Sequence, residues 1–275
     1  MHTFKLAPQE NIFFERACGE LSLAFENHDV KRFYQSGSAK AFIPKSYSQA
    51  IEVLLANTSG GLTDGDRMSY EIKADQNSYV TLTTQAAERV YRALGDGVAH
   101  AHIKLSATNE SWLVWVPHET ILYNQCQFMR HIDINLDASS TVVIGEMLVF
   151  GRKESGEVLT AGHVQDRWHI WQDDKLIHSE AFRITDPVRE QLDHFARADT
   201  NVMATLIIVC PDDLSALVKD IQHMHKDEAS WIEVSAWMNK LVVRIIAPDL
   251  YSIKPAIARI LERMTASSLP RTWMI

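Results

Sequence analysis

Apolar and polar residues alternate along most of the first 200 positions. Leu21, Leu23 and Phe25 alternate with Ser22, Ala24 and Glu26. Ile51, Val53 and Leu55 lead into a glycine turn. Met68, Tyr70, Ile72 and Ala74 share one face, and Arg67, Ser69, Glu71 and Lys73 share the other. A period of two marks a half-buried strand. A turn cluster at Asp75, Gln76, Asn77 and Ser78 then leads to a threonine-rich run over 79–84, so the stretch reads as a hairpin. Alternation returns at Ala101, Ile103 and Leu105 and at Ile132, Ile134 and Leu136, and residues 112–116 form an apolar run ending at Pro117. Gly145-Glu146 interrupts the apolar run 142–150 and predicts a bulge or kink. Residues 168–184 fold about Asp173-Asp174 as a second hairpin. No long amphipathic helix is expected before residue 200, residues 187–197 being the nearest approach to one.

The last quarter changes character. Residues 206–209 read as a strand. Pro211-Asp212 open a helix that carries Leu214, Leu217, Val218, Ile221 and Met224 on one face. Two strands, 231–236 and 241–246, flank Met238-Asn239. Ser252 caps a final helix with Ile253, Ile257, Ile260, Leu261 and Met264 in one stripe and Pro255 in its first turn. The predicted architecture is therefore mainly β: stacked short-strand sheets in a body over 1–200, with a βαββα segment over 203–266 that contributes two helices. The whole, 1–275, reads as a single elongated β-rich domain. No repeat of fixed period is visible, so a regular solenoid is not expected.

Composition narrows the function. Apolar residues make up 46% and charged residues 23%, an ordinary globular balance. The net charge of −8 argues against nucleic acid, whose phosphates need a basic surface. Cys18, Cys126 and Cys210 are widely spaced, which fits a reducing cytosol and no thiolate zinc site. The N-terminus carries charge too early for a signal peptide, and no apolar run reaches membrane-spanning length, so a cytoplasmic protein is expected.

The densest chemistry lies between Asn57 and Arg92. Gly60 and Gly65 do not make a phosphate loop, because Asp66 stands where the lysine belongs and a strand follows. The sequence NTSGGLTDGDR, followed by LTTQAAERVYR, resembles the signature of the urease accessory protein D family (UreD, called UreH in some organisms). WVPHETI at 115–121, Gly145-Glu146 through Phe150-Gly151-Arg152, Gly156-Glu157, Asp166-Arg167-Trp168 and Pro270-Arg271-Thr272-Trp273 match further family segments in order. Asp64 stands where the family usually has glycine, Val116 and His118 replace leucine and glutamine, and Ser155 replaces methionine. The resemblance implies a β-dominated fold with two helices. It also implies a non-enzymatic maturation protein that binds apo-urease and UreF, and through UreF the GTPase UreG, while nickel enters the urease active site. Nickel(II) in transit is then the only metal expected, with no tightly bound cofactor.

The motif residues Asn57, Thr58, Ser59, Gly60, Gly61, Asp66, Thr83, Thr84, Gln85, Glu119, Glu146, Arg152 and Glu157 are the candidate lining of a hydrated nickel path. Hydroxyl, amide and carboxylate oxygens suit a hydrated divalent cation, although the same groups also cap turns. His100 and His102 share one strand face and, with Asp66, are the weak metal candidates, because no third ligand is visible beside the two histidines. His223 and His225 are too poorly spaced to share a helix face. An alternative from another class is a β-rich hydrolase using a carboxylate pair, Asp66 with Glu119. No nucleophile elbow or HExxH motif supports an enzyme.

Overall fold

The computed structural model describes residues 15–45, 49–195, 200–224, 230–264 and 269–274. A first hairpin, β1 (Cys18–Glu26) and β2 (Asp29–Gly37), leads to β3 (Ala39–Phe42) and β4 (Ile51–Asn57). The chain then winds through β5 (Arg67–Asp75), β6 (Tyr79–Thr84), β7 (Glu88–Val90), β8 (Ala99–Ala107), β9 (Trp112–Trp115), β10 (Thr120–Leu122), β11 (Cys126–Leu136) and β12 (Thr141–Arg152). It continues through β13 (Glu157–Val158), β14 (Gly162–Gln172), β15 (Lys175–Ile184) and α1 (Val188–Phe195). The last part comprises β16 (Val202–Val209), α2 (Ser215–Met224), β17 (Trp231–Trp237), β18 (Lys240–Ala247) and α3 (Leu250–Met264).

From β4 to β14 the chain crosses back and forth between two sheets. A seven-stranded sheet has the order β15-β14-β11-β8-β5-β1-β2, and an eleven-stranded sheet runs β17-β18-β16-β12-β9-β6-β4-β3 with β7, β10 and β13 beside it. Within each sheet the winding strands are parallel and in register: Tyr70, Ile103, Ile132 and Trp168 stack in one, and Val53, Leu82, Trp115 and Ile144 in the other. A third ladder, Leu62, Val90, Leu122 and Phe150, closes the side between them. The body is thus a β-coil. Its turns differ in length, as the intervals between stacked residues show, which is why no fixed period is visible in the sequence.

The stretch 67–84 is an arch and not the expected hairpin. β5 lies in the first sheet and β6 in the second. The physical reason is burial: Val80, Thr81, Leu82 and Thr83 are all buried, so β6 belongs to a sheet covered on both faces. Gln76 and Asn77 turn the arch with φ of 50° and 60°. Neighbouring arches stack on it, Asn77 N–H donating to the Asn109 carbonyl at 2.9 Å.

β12 forms the shared wall. Val142, Ile144, Leu148 and Phe150 enter the core between the sheets, while Val143, Met147 and Val149 enter a second core under α2 and α3. The expected kink at Gly145-Glu146 is absent. β12 pairs with β16 without a register shift, and a side chain at Gly145 would make only ordinary contact with Leu206 and Val116.

The C-terminal order is the predicted βαββα, and β16 continues the large sheet by pairing with β12. Three helices are present among the described residues where two were expected. α1 forms over the stretch read as non-helical, because Val188 and Leu192, one turn apart, both seat in the core. α2 begins at Ser215 and not at Pro211-Asp212, since the Asp213 carboxylate accepts the Ser215 N–H at 3.0 Å. α3 begins at Leu250, with Asp249 as its cap: one carboxylate oxygen accepts both the N–H and the Oγ–H of Ser252, at 3.0 and 2.9 Å. Pro255 therefore lies beyond the first turn. We predict that Asp249→Ala costs about 1 kcal/mol in urea unfolding, a cap's usual worth, and that Ser252→Ala costs under half of that. Equal losses would return the cap to Ser252.

Candidate functional site

The first group of motif residues sits where β4 and β6 end side by side. The two strands are parallel, with Leu55 opposite Thr84, and the Gln85 N–H donates to the Leu55 carbonyl at 2.8 Å. Asn57 organises the turn: its Oδ1 accepts the Ser59 N–H at 3.0 Å, and its Nδ2 donates to both carboxylate oxygens of Glu88 at 3.2 Å. Thr58 Oγ–H donates to the Ser38 carbonyl at 3.1 Å and Ser59 Oγ–H to the Gly61 carbonyl at 2.8 Å. Gly60 and Gly61 adopt φ of +80° and +148°. A Cβ on Gly61 would meet the Tyr91 ring at 2.4 Å, so this position has no room for a side chain.

Asp66 is buried, and both its oxygens hold backbone amides, those of Ala17 at 2.7 Å and Thr63 at 2.8 Å. Asp64, also buried, pairs with Arg16 at 2.8 Å and accepts the Leu94 N–H at 2.9 Å. Together they tie the start of β1 to the coil. Thr83 and Thr84 point to opposite sides of the large sheet. Thr83 Oγ accepts the Trp273 indole N–H at 3.2 Å, and Thr84 Oγ accepts the His118 N–H at 2.9 Å on the inner side.

Between the sheets lies a cavity of about 60 Å³, room for a few waters. Tyr70, Thr84, Glu88, His118, Thr120, Arg130 and Glu146 supply its polar wall. Arg130 is fully enclosed. Its Nε and Nη2 donate to Asp166 at 3.0 and 2.5 Å, and its Nη1 donates to Glu146 and to Thr120 Oγ at 3.3 Å. Each carboxylate also takes an indole N–H at 2.8 Å, Glu146 from Trp115 and Asp166 from Trp168. Every polar atom pair in the triad is thus satisfied, as burial demands. Burial pushes the Glu146 carboxyl up to about 7 despite Arg130, and the neighbouring Asp166 charge adds to the rise. Burial also pushes Glu88 up to about 7, against the opposing hydrogen bond from Asn57.

A second hollow, about 470 Å³, opens on the other side of the large sheet, where α3 and the C-terminal segment meet the coil. Gln85, His118, Glu119, Lys254 and Trp273 line it. Glu119 pairs with Lys254 at 3.0 Å. The His118 ring stacks on Trp273 at 5.7 Å between centroids, and burial, aided by the Lys254 charge, pushes its imidazole below the usual range. His118 lines both the inner cavity and this groove. The remaining motif pair, Arg152 and Glu157, forms an ion pair elsewhere, with Arg152 over the Tyr123 ring at 4.3 Å.

His100 is exposed, two residues before His102 on β8. Three groups absent from the local sequence come from neighbouring strands: His102 Nε2 lies 3.0 Å from Asp133, which lies beside His131 and His169. His223 bonds within α2 to the Lys219 carbonyl, and His225 lies outside the described residues. Arg130 shares the parity of Ile132, Ile134 and Leu136, so alternation places it on the inner face, but arginine as a residue type reads as exposed and it was not singled out. Glu88 was missed because its partner Asn57 comes from another turn of the coil. Among the described residues no helix is long and apolar enough to cross a membrane.

The family model described as UreD urease accessory protein matches residues 17–274. Urease accessory protein UreD 1 of Brucella abortus is 34% identical over 265 residues, covering 94% of this chain and 93% of its own. Urease accessory protein UreD of Mesorhizobium japonicum is 34% identical over 269 residues, covering 95% of each chain. The protein of the same name from Rhizobium johnstonii is 30% identical over 264 residues, with 94% and 96% covered.

Two predictions follow from the buried charges. Arg130→Met leaves two carboxylates buried without their cation and should cost about 3–5 kcal/mol in denaturant unfolding; a loss below about 1 kcal/mol would show that the triad is solvated. Glu88 carries the second. Its folded pKa of about 7 exceeds the ordinary 4.5, so the folded state retains a proton that the unfolded state has lost. Its contribution to stability is full below pH 4.5 and declines as pH rises through 7. Unfolding Glu88→Gln alongside the parent protein at pH 5 and pH 8 should show a smaller decline for the variant, and parallel declines would refute the assignment.

Proposed function

The chain belongs to the UreD family of urease accessory proteins, and on that footing we propose a non-catalytic maturation scaffold that binds apo-urease and UreF and, through UreF, UreG, and that offers nickel a polar path through the coil. The GTP chemistry belongs to UreG. The observation that carries the path is the position of His118 in the wall shared by the outer groove and the inner cavity. Its lowered pKa keeps the imidazole neutral near pH 7, with a lone pair for a passing cation. Glu119, beside Lys254 in the groove, and Glu88 in the cavity place carboxyl groups on either side of His118. A dication cannot cross an apolar interior bare, whereas water and single carboxylates lower the barrier without forming a closed cage.

The alternative hydrolase pairing Asp66 with Glu119 gains no support from the geometry. Both Asp66 oxygens are engaged by backbone amides, and Glu119 is paired with Lys254 in the groove. Nickel here is cargo, handed on to urease.

The test uses the whole chain co-expressed with its partners and urease. His118→Phe preserves the stacking on Trp273 while removing both ring nitrogens, and Glu88→Gln removes one carboxylate. Each variant should still pull down UreF and urease. Nickel in the purified urease, read by mass spectrometry at a short fixed time, should fall about tenfold, the rate equivalent of roughly 1.4 kcal/mol on the crossing barrier. Normal nickel loading with both variants would remove the path while leaving the scaffold. Loss of pull-down by the parent protein would remove the scaffold itself.

A further inference from the structure

The outer face of the seven-stranded sheet carries a group of donors that the maturation reading does not use. His131 and Asp133 project from β11 two residues apart, on the same face. The parallel register places His102 of β8 beside His131 and His169 of β14 beside Asp133. His131 Nε2 lies 3.2 Å from His169 Nδ1 and 3.4 Å from Asp133 Oδ1, and His169 Nδ1 lies 3.5 Å from the same Oδ1. The three donor atoms form a nearly equilateral triangle.

Those edges have a chemical meaning. Ligand nitrogens and oxygens about 2.0–2.1 Å from a tetrahedral metal stand roughly 3.3 Å apart. An ion at that radius would sit about 0.6 Å above the plane of the three donors, on the solvent side, with a fourth position left for water. All three side chains are partly exposed, so an ion can reach them. The second carboxylate oxygen of Asp133 is engaged by His102 Nε2 at 3.0 Å, the kind of outer contact that fixes a ligating carboxylate.

We propose that His131, Asp133 and His169 form a surface site for a divalent late first-row transition-metal ion, with His102 orienting the carboxylate. Two imidazoles and one carboxylate select zinc, nickel or copper over magnesium or calcium, which require more oxygens. Lys104 lies beside Asp133 in the ladder and Arg167 beside His131, and their charge limits the affinity to the order of micromolar. The bound ion would staple β11 to β14 across adjacent turns of the coil. The site is separate from the cavity and groove and owes nothing to nickel delivery.

The experiment titrates the purified full chain with Zn(II), Ni(II) and Mg(II) by calorimetry, and with Co(II) by visible absorption. One equivalent of Zn(II) or Ni(II) should bind, Mg(II) should not, and Co(II) should give the intense bands of low coordination number. His131→Ala, His169→Ala and Asp133→Asn should each weaken binding by about tenfold or more, since loss of even an outer hydrogen-bond partner of a ligand costs about that much. His100→Ala, on the neighbouring strand but outside the trio, should bind as the parent does. The substituted side chains are partly exposed, so melting without metal will verify that the variants fold. Zn(II) affinity no better than about 1 mM in the parent would overturn the proposal, as would unchanged stoichiometry and affinity in the His131→Ala, His169→Ala double variant. Either result would leave the trio a hydrogen-bonded surface network.

Discussion

Arg130 is the point on which the coil depends. It is planted on β11 in the seven-stranded sheet, reaches Asp166 on the next strand of the same sheet, and crosses the core to Glu146 on β12. One guanidinium therefore links two turns of the coil and both sheets. With both carboxyls ionised, two carboxylates and one cation would leave a net negative charge in this buried space, and burial holds the Glu146 carboxyl up at about 7. Such a charge is tolerable only because Trp115, Trp168 and Thr120 complete the hydrogen bonds. The planar fork of arginine is suited to this role, since a lysine cannot address two carboxylates in fixed directions. The segments that resemble family motifs, around Trp115, Glu146 and Asp166-Trp168, are distant in sequence and meet at this residue.

The individual strands were legible because burial on one face imposes a period of two, and most of them lie where alternation placed them. The connections were harder to read. A hairpin and an arch carry the same alternation and the same turn residues, and only the two-sided burial of residues 80–83 separates them. Parallel strands gain their partners from other turns of the coil, so the sequence near β5 does not reveal that β8 and β1 are its neighbours. α1 was hidden by its length, since Val188 and Leu192 alone, one turn apart, make a faint helical signal. Asp249 and Asp213 were displaced as caps by nearby residues of equal propensity.

The candidate site divides along the same line. The local part of the turn around Asn57 was visible, because Ser59 and Gly61 lie within a few residues of it. Of the ionisable groups of the cavity only Glu146 was singled out, because Glu88, His118, Arg130 and Glu146 come together only through coil stacking. Asp66 shows the limit of motif reading: an acid within a glycine-rich turn attracts a functional interpretation, yet here its oxygens hold the amides of Thr63 and Ala17. A carboxylate so engaged positions the first strand, and the polar wall of the cavity is made by others.

The register of β11 and β14 also explains why one pair of strands carries two kinds of chemistry. In-register parallel pairing sets residue beside residue on the same face, and alternate positions face opposite ways. Arg130 beside Asp166 therefore points inward, His131 beside Arg167 outward, and Asp133 beside His169 outward again. The inward pair is buried and has to be nearly neutralised by protein groups. The outward residues are hydrated, so a cluster of imidazoles and a carboxylate can stand there without a fixed counter-charge. A shift of one residue in this register would exchange the two faces, burying the histidines and exposing Arg130. The buried guanidinium and its two carboxylates thus specify the register, and that same register gathers the outer donors from separate turns of the coil.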